Sequence, residues 1–263
     1  MSSEGGCRPV ASSHRLQKGR PATSGLHIPG PPRPTGVAQP IALPALAGAG
    51  AAEIRARVRH LHFETVPDWS GSTFSVWGGD PNDVIGAVTI SVFLWLRRHG
   101  GGTAGVVPWG TTPATHLALG PLSVKKNLKA LKAAIRDRVN LGGNDLPAAL
   151  RLSADRTSDL PAHTVPFYWV PTDGIESVTS STHDAVNALP PGSVHLVLID
   201  PLRGCTPEMQ NDWRSVPFGS ITRIDDLSVR NVATTIAERC AAAIGLQLVT
   251  ATPATSEEKE QSS

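Results

Sequence analysis

Two hydrophobic periods alternate through the middle of this chain and predict strands separated by helices. Residues 72–76 suit a strand, and Gly78-Gly79-Asp80-Pro81-Asn82-Asp83 supply a turn and a helix start. Ile85, Val88, Val92 and Leu96 then recur at helical spacing, before Arg97-Arg98-His99-Gly100 gives a basic last turn and a glycine stop. A strand is predicted at 104–107. Over 122–139, Val124, Leu128, Leu131, Ile135 and Val139 form an apolar stripe, while Lys125, Lys129, Lys132 and Arg136 form a cationic one at the same spacing. After an irregular stretch at 141–163, strands are expected at 165–170, 194–199, 219–224 and 246–250. Helices are expected at 177–189, 206–214 and 226–244. This alternation implies a three-layer α/β fold with a mostly parallel, doubly wound, Rossmann-like sheet.

The ends of the chain read differently. Residues 1–50 hold eight prolines among Ser, Gly and Ala and almost no large apolar side chains, so they cannot bury enough surface to offset their ordering entropy. The expected organisation is a disordered basic tail over 1–52, an α/β domain over 53–250 and a disordered acidic tail over 251–263. Arg8, Arg15, Lys18, Arg20 and Arg33 against Glu4 make the first tail +4, and Lys259 against Glu257, Glu258 and Glu260 makes the last −2. The core is therefore neutral although the whole chain is +2. A neutral core does not favour nucleic acid as the partner.

Cys7, Cys205 and Cys240 are an odd, widely spaced set with no CxxC pair, which fits a reducing, cytoplasmic setting better than a disulfide framework. The apolar run at 85–96 is too short to span a bilayer. No basic start joined to an apolar stretch is seen near the N-terminus, so neither a secretory leader nor a membrane partner is expected.

The segment 188–204 carries the sharpest chemical signal: a turn feeds an apolar run that ends abruptly on Asp200-Pro201. Open α/β sheets bind ligands just outside the carboxyl ends of such strands. The order Leu-Pro-Pro-Gly-Ser-Val-His-Leu-Val-Leu-Ile-Asp-Pro resembles the strand and Asp-Pro-Pro-Tyr loop of DNA amino-methyltransferases. That resemblance implies an S-adenosylmethionine-dependent, nucleic-acid-modifying enzyme in which Asp200 handles the target amine. Leu202 and Arg203 stand where the family has a proline and a base-stacking aromatic. The structural alternative is that Asp200 caps the next turn.

Other loops at predicted strand ends add candidates. Gly78 and Gly79 would let backbone N–H groups approach an anion at a helix N-terminus, although Asp80 and Asp83 would repel a phosphate unless a metal intervened. This loop also resembles the His-Pro-Asp-Asp zinc motif of the N-acetylglucosamine deacetylase family, but Asp80 occupies the position of its histidine ligand. Thr111, Thr112 and Thr115 could hydrogen-bond a phosphate or ribose, and Arg203 joins them as a ligand-binding candidate. Cys205 is a candidate nucleophile beside Asp200, provided a histidine such as His163, His183 or His195 lies near. Lys125, Lys129, Lys132 and Arg136 could meet phosphates of a ligand or nucleic acid. His60-x-His62 offers two imidazoles on one side of an extended segment but no third ligand, so no metal site is assigned.

The resulting expectation is a domain that binds a nucleotide-like or other phosphorylated small ligand at the carboxyl edge of its sheet. No cofactor, oligomeric state or catalytic reaction is specified. The alternatives are the enzyme built on Asp200 and a non-catalytic interaction module using the basic helix.

Overall fold

A computed structural model describes residues 38–74, 81–113, 117–136, 138–199 and 205–249. Among them six strands form one mixed sheet in the order β4-β3-β2-β5-β6-β7, with β2 at Leu61–Thr65, β3 at Thr103–Val106, β4 at Leu117–Pro121, β5 at Val165–Thr172, β6 at Val194–Ile199 and β7 at Ser220–Ile224. All neighbours are parallel except β4, which runs antiparallel to β3 across an irregular register. Strands β5 and β6 are near-continuous apolar runs because both sheet faces are covered. Phe167, Trp169, Val197 and Ile199 point into one core, and Tyr168, Val170, Leu196 and Leu198 into the other.

The first core is closed by helices α1 (Ala51–His60), α2 (Pro81–His99), α3 (Lys125–Arg136) and α7 (Val229–Ala243). The second is closed by α4 (Leu146–Thr157), α5 (Ser180–Asn187) and α6 (Pro207–Ser215). This is a three-layer α/β arrangement with seven α-helices among the described residues. The middle of the expected stripe packs, with Leu128, Leu131 and Ile135 buried and Lys125, Lys129 and Arg136 exposed, but its two ends do not: Val124 and Val139 lie outside α3 and are exposed. Gly219 is required where β7 begins, since a Cβ there would stand 2.0 Å from the Gly192 carbonyl oxygen.

Several elements differ from the sequence reading. The strand expected at 72–76 is a 3-10 turn at Ser72–Phe74, with residues 75 and 76 outside the described set; the strand in this region is β2. Its apolar run is broken by His62, Glu64 and Thr65, all fully buried. His60 closes α1 while His62 lies in β2, so they are not a pair on one extended segment. His62 instead has Nδ1 2.9 Å from Thr103 Oγ1 and Nε2 3.4 Å from Glu64 Oε2. Helices α1 and α4 lie where no apolar stripe was read, and α4 is started by Asp145, whose carboxylate accepts from the Ala148 N–H. The last strand, β8 (Gln247–Leu248), does not join the main sheet: it pairs antiparallel with β1 (Leu46–Ala47).

The pairing of β1 with β8 also places ordered structure before residue 53. Leu43 and Leu46 are buried in the first core, the Trp95 indole donates to the Pro44 carbonyl at 2.7 Å, and the Ile41 N–H donates to Ser91 Oγ at 2.9 Å. The tails over 1–37 and 250–263 lie outside the described residues. A chain starting at residue 51 loses those contacts and should be about 2–5 kcal/mol less stable than one starting at 38, the usual cost of emptying large apolar sites. Urea unfolding of the two chains measures this, and equal midpoints would show that residues 38–50 contribute nothing.

Candidate metal site at the carboxyl edge of the sheet

Parallel strands deliver their carboxyl ends to one edge, and here two neighbours each deliver an acid. The β2–β5 pairing continues past the named strands: the Val66 N–H donates to the Trp169 carbonyl at 2.8 Å and the Asp68 N–H to the Pro171 carbonyl at 3.1 Å. Asp68 is thereby fixed, fully buried, beside Thr172. Asp173 follows β5 directly, and Glu176 lies three residues later. Asp68, Asp173 and Glu176 each offer a carboxylate oxygen, and these three atoms lie within 4.8 Å of one another.

The loops holding the acids are tied down locally. Asp68 Oδ1 accepts from the Ser70 N–H at 2.8 Å, and Thr73 Oγ1 lies 3.0 and 2.9 Å from the Asp68 and Ser70 carbonyls. Asn82, in the first turn of α2, donates to the Thr73 carbonyl at 3.2 Å. Gly174 has φ +72°, and a Cβ there would meet Leu198 at 2.8 Å, so glycine is needed for the turn. Its carbonyl accepts from the buried Trp213 indole at 3.2 Å.

One hydroxyl serves two of the carboxylates. Thr172 Oγ1 lies 2.7 Å from Asp68 Oδ2 and 3.1 Å from Glu176 Oε2, but it has only one proton to donate. Burial first, and then the neighbouring Asp68 and Asp173, push Glu176 up to about 9. Burial is likewise the main cause that raises Asp68 to about 6, and it raises Asp173 also. Three carboxylates in this setting hold their full charge only with a counter-ion. Ser70 Oγ and Ser72 Oγ, 3.0 Å apart on the same loop, add neutral oxygen donors. An all-oxygen, carboxylate-rich set suits a hard divalent cation such as Mg²⁺, Mn²⁺ or Ca²⁺, so these residues fit a metal.

The sequence-read candidates fall partly on this edge. Asp200, Arg203, Gly78, Gly79, Asp80 and Thr115 lie outside the described residues. Cys205 is buried next to the acids, and burial together with Asp173 and Glu176 pushes its thiol up, opposite to what a thiolate nucleophile needs. Thr111 and Thr112 are exposed on the loop after β3, where the Thr111 N–H donates to the Leu141 carbonyl. Asp83, half-exposed, is ion-paired with Arg138 rather than open to a ligand. Lys125, Lys129, Lys132 and Arg136 lie along α3, away from the acids in sequence and element. His183 Nε2 lies 3.3 Å from Ser215 Oγ, and His163 packs edge-on against His60.

Asp68, Ser70, Ser72, Asp173 and Glu176 were not singled out from the sequence. The signal that would have found them is the one applied to Asp200. Leu61-His62-Phe63-Glu64-Thr65-Val66-Pro67 ends on Asp68, and the run at 165–172 ends on Asp173.

No protein-family model matches the sequence, and no curated protein matches it. Solved structures do match in shape. The pilus adhesin SpaC of Lactobacillus rhamnosus GG aligns with 70% of this chain and 30% of its own at a TM-score of 0.58 and 13% identity. A von Willebrand factor type A protein from Catenulispora acidiphila aligns over 70% of this chain and 42% of its own, at a TM-score of 0.54 and 16% identity. The fold is von Willebrand factor type A-like. BatB from Bacteroides thetaiotaomicron matches over 69% of this chain and 99% of its own, with a TM-score of 0.50 and 11% identity. This chain thus spans less than half of the first two proteins.

The expected nucleotide-like or phosphorylated ligand is overturned by these findings. The neighbours are von Willebrand factor A-like and adhesin domains, and the carboxyl edge presents three carboxylates that would repel a phosphate. The same correction applies to the methyltransferase reading. Among the described residues no helix is long and apolar enough to cross a membrane.

The raised acids give a pH signature. In the cation-free protein, Glu176 keeps its proton in the fold between its ordinary 4.5 and about 9, whereas the unfolded chain has lost it, so stability falls as pH rises through that window. Asp68 acts in the same direction from 3.8 to about 6. His195, lowered from 6.5 to about 4 chiefly by burial, acts oppositely but only below 6.5. Chemical denaturation in EDTA should therefore show declining stability between pH 6.5 and 9, and Glu176→Gln should flatten it. A wild-type profile that rises over this range would contradict the burial of Glu176 among acids.

Proposed function

We propose that this chain is a non-enzymatic, divalent-cation-dependent protein-binding module. Asp68, Asp173 and Glu176, with the Ser70 and Ser72 hydroxyls, hold the cation, and an oxygen from a partner protein completes its shell. The observation that carries this reading is the convergence of three desolvated carboxylates and two hydroxyls on one sheet edge. The bound cation supplies a positive point charge at a surface otherwise negative. The residues of the chain fix the loops, exclude bulk water from Asp68 and present the cation outward. SpaC is a pilus adhesin, and a comparable role in adhesion is consistent with this arrangement.

The winding supports the same location. Crossovers run outward from β2 in both directions, through β3 on one side and β5, β6 and β7 on the other, as in doubly wound Rossmann-like sheets. The acids thus sit where the winding reverses, the place such sheets leave a crevice.

Thermal and chemical unfolding with Mg²⁺, Mn²⁺ or Ca²⁺ test the proposal. A cation present at roughly 100 times its dissociation constant should stabilise the fold by about 2.7 kcal/mol. Asp68→Asn with Asp173→Asn should abolish that gain while leaving the EDTA-treated protein as stable as wild type or more so. Cation-dependent stabilisation that survives the double substitution, or none for any of the three cations at millimolar concentration, would refute it.

A further inference from the structure

The opposite, amino edge of the sheet holds a cleft of about 350 Å³ whose lining includes Pro166, Pro191, His195, Ser220, Arg239 and Ala243. It lies between the starts of β5, β6 and β7 and the last turns of α7, so it is separate from the acids at the other strand ends. Its volume is within the range of small-molecule sites.

Two polar groups in this cleft have donor capacity left unused among the described residues. The His195 ring stacks on Phe167 with centroids 4.0 Å apart and engages Ser220 Oγ through Nδ1 at 2.9 Å. Among the described residues its Nε2 has no hydrogen-bond partner, nor is it sealed from solvent, and the exposed Arg239 guanidinium has neither a hydrogen-bond nor an ion-pair partner. Burial, and then the neighbouring Arg239 charge, disfavour a positive charge on His195. A ligand anion would relieve that conflict. In the tautomer in which the Ser220 hydroxyl donates to Nδ1, the imidazole proton sits on Nε2 and can be donated to a ligand.

Two carbonyls in the last turn of α7, which would otherwise oppose an anion, are already covered, as are the two carbonyls that follow the helix. Leu246 N–H donates to the Ala241 carbonyl at 2.8 Å and Gly245 N–H to the Ala242 carbonyl at 2.9 Å. Arg57 donates to the Ile244 and Gly245 carbonyls at 3.2 and 2.8 Å. The Arg239 charge is thus left over rather than used by the helix end. One unpaired guanidinium matches one negative charge, and the proline and alanine walls suit an apolar body.

We propose that this cleft binds a small organic carboxylate, with the carboxylate held by Arg239 and His195 Nε2 and the apolar body against Pro166, Pro191 and Ala243. The site is independent of the cation reading at the other edge.

Benzoate is a suitable probe, with acetate and inorganic phosphate as comparison arms. Long-range ¹H–¹⁵N correlation of the histidine rings at mildly acidic pH should show a saturable benzoate-dependent shift of His195 toward the protonated form, because an adjacent anion favours the imidazolium. Acetate, lacking the apolar body, should bind more weakly. Arg239→Gln should weaken benzoate by at least about tenfold, a loss of about 1.4 kcal/mol. Ala243→Phe should remove binding by filling the cleft, and Arg230→Gln, on the other end of α7, should leave it unchanged. The proposal is overturned if the His195 signals do not move at tens of millimolar benzoate, or if binding persists in both cleft variants. Phosphate binding as tightly as benzoate overturns the carboxylate assignment. The same titration in EDTA and in Mg²⁺ should agree, so failure here is distinguishable from failure of the cation site.

Discussion

Like charges resist being gathered out of water, and the carboxyl edge of this sheet gathers three. Desolvation and mutual repulsion both favour the neutral acids, so the loops carrying Asp68, Asp173 and Glu176 would splay apart unless something else held them. The restraint is built from ordinary neutral groups. The β2–β5 ladder extends past both strands, Asn82 pins Thr73 from α2, and Trp213 pins Gly174 from α6. Each tether originates in a different layer. The two helical layers thus do more than cover the sheet: they keep an electrostatically unfavourable arrangement assembled, at the edge where a cation would reverse the sign of the interaction.

The two edges of the sheet have opposite chemistry for a common geometric reason. Strands β5, β6 and β7 run parallel, so residues that begin them meet at one edge and residues that end them meet at the other. His195 starts β6 and faces the C-terminal turns of α7, where Arg239 supplies the positive charge. Thr172 ends β5 and faces the acids. Nothing in composition separates these environments, because basic and acidic residues balance across the core. The separation is made by strand direction.

Much of the fold was legible because both faces of the sheet are covered. Strands β5 and β6 are buried on alternate sides by different cores, which produces the apolar runs, and the stripe on α3 predicts its buried leucines. The elements that escaped notice are those whose patterns are interrupted. Strand β2 carries His62, Glu64 and Thr65 inside the core, where each polar group breaks the run even though none is exposed. Helix α1 is rich in alanine and arginine, with only Ile54 and Val58 buried, so its stripe is two residues long. Strand β8 has the composition of a final sheet strand, yet its partner is β1, and only tertiary pairing distinguishes that from membership of the main sheet.

The site was harder to read than the fold for a reason that lies in strand order. An apolar run ending on an acid occurs at Asp68, Asp173 and Asp200, and local sequence treats the three alike. Glycine, serine and proline follow or precede each of them, and every one can be explained as a turn cap. What sets Asp68 and Asp173 together is that β2 and β5 are hydrogen-bonded neighbours although β3, β4 and three helices intervene in the chain. A single strand end supplies one carboxylate, which water and a backbone N–H can satisfy. Two adjacent strand ends supply a pair at fixed separation, and Glu176 makes it a trio that one threonine proton cannot serve. The chemistry of the edge is therefore a property of adjacency, which arises only when parallel strands distant in sequence are placed side by side.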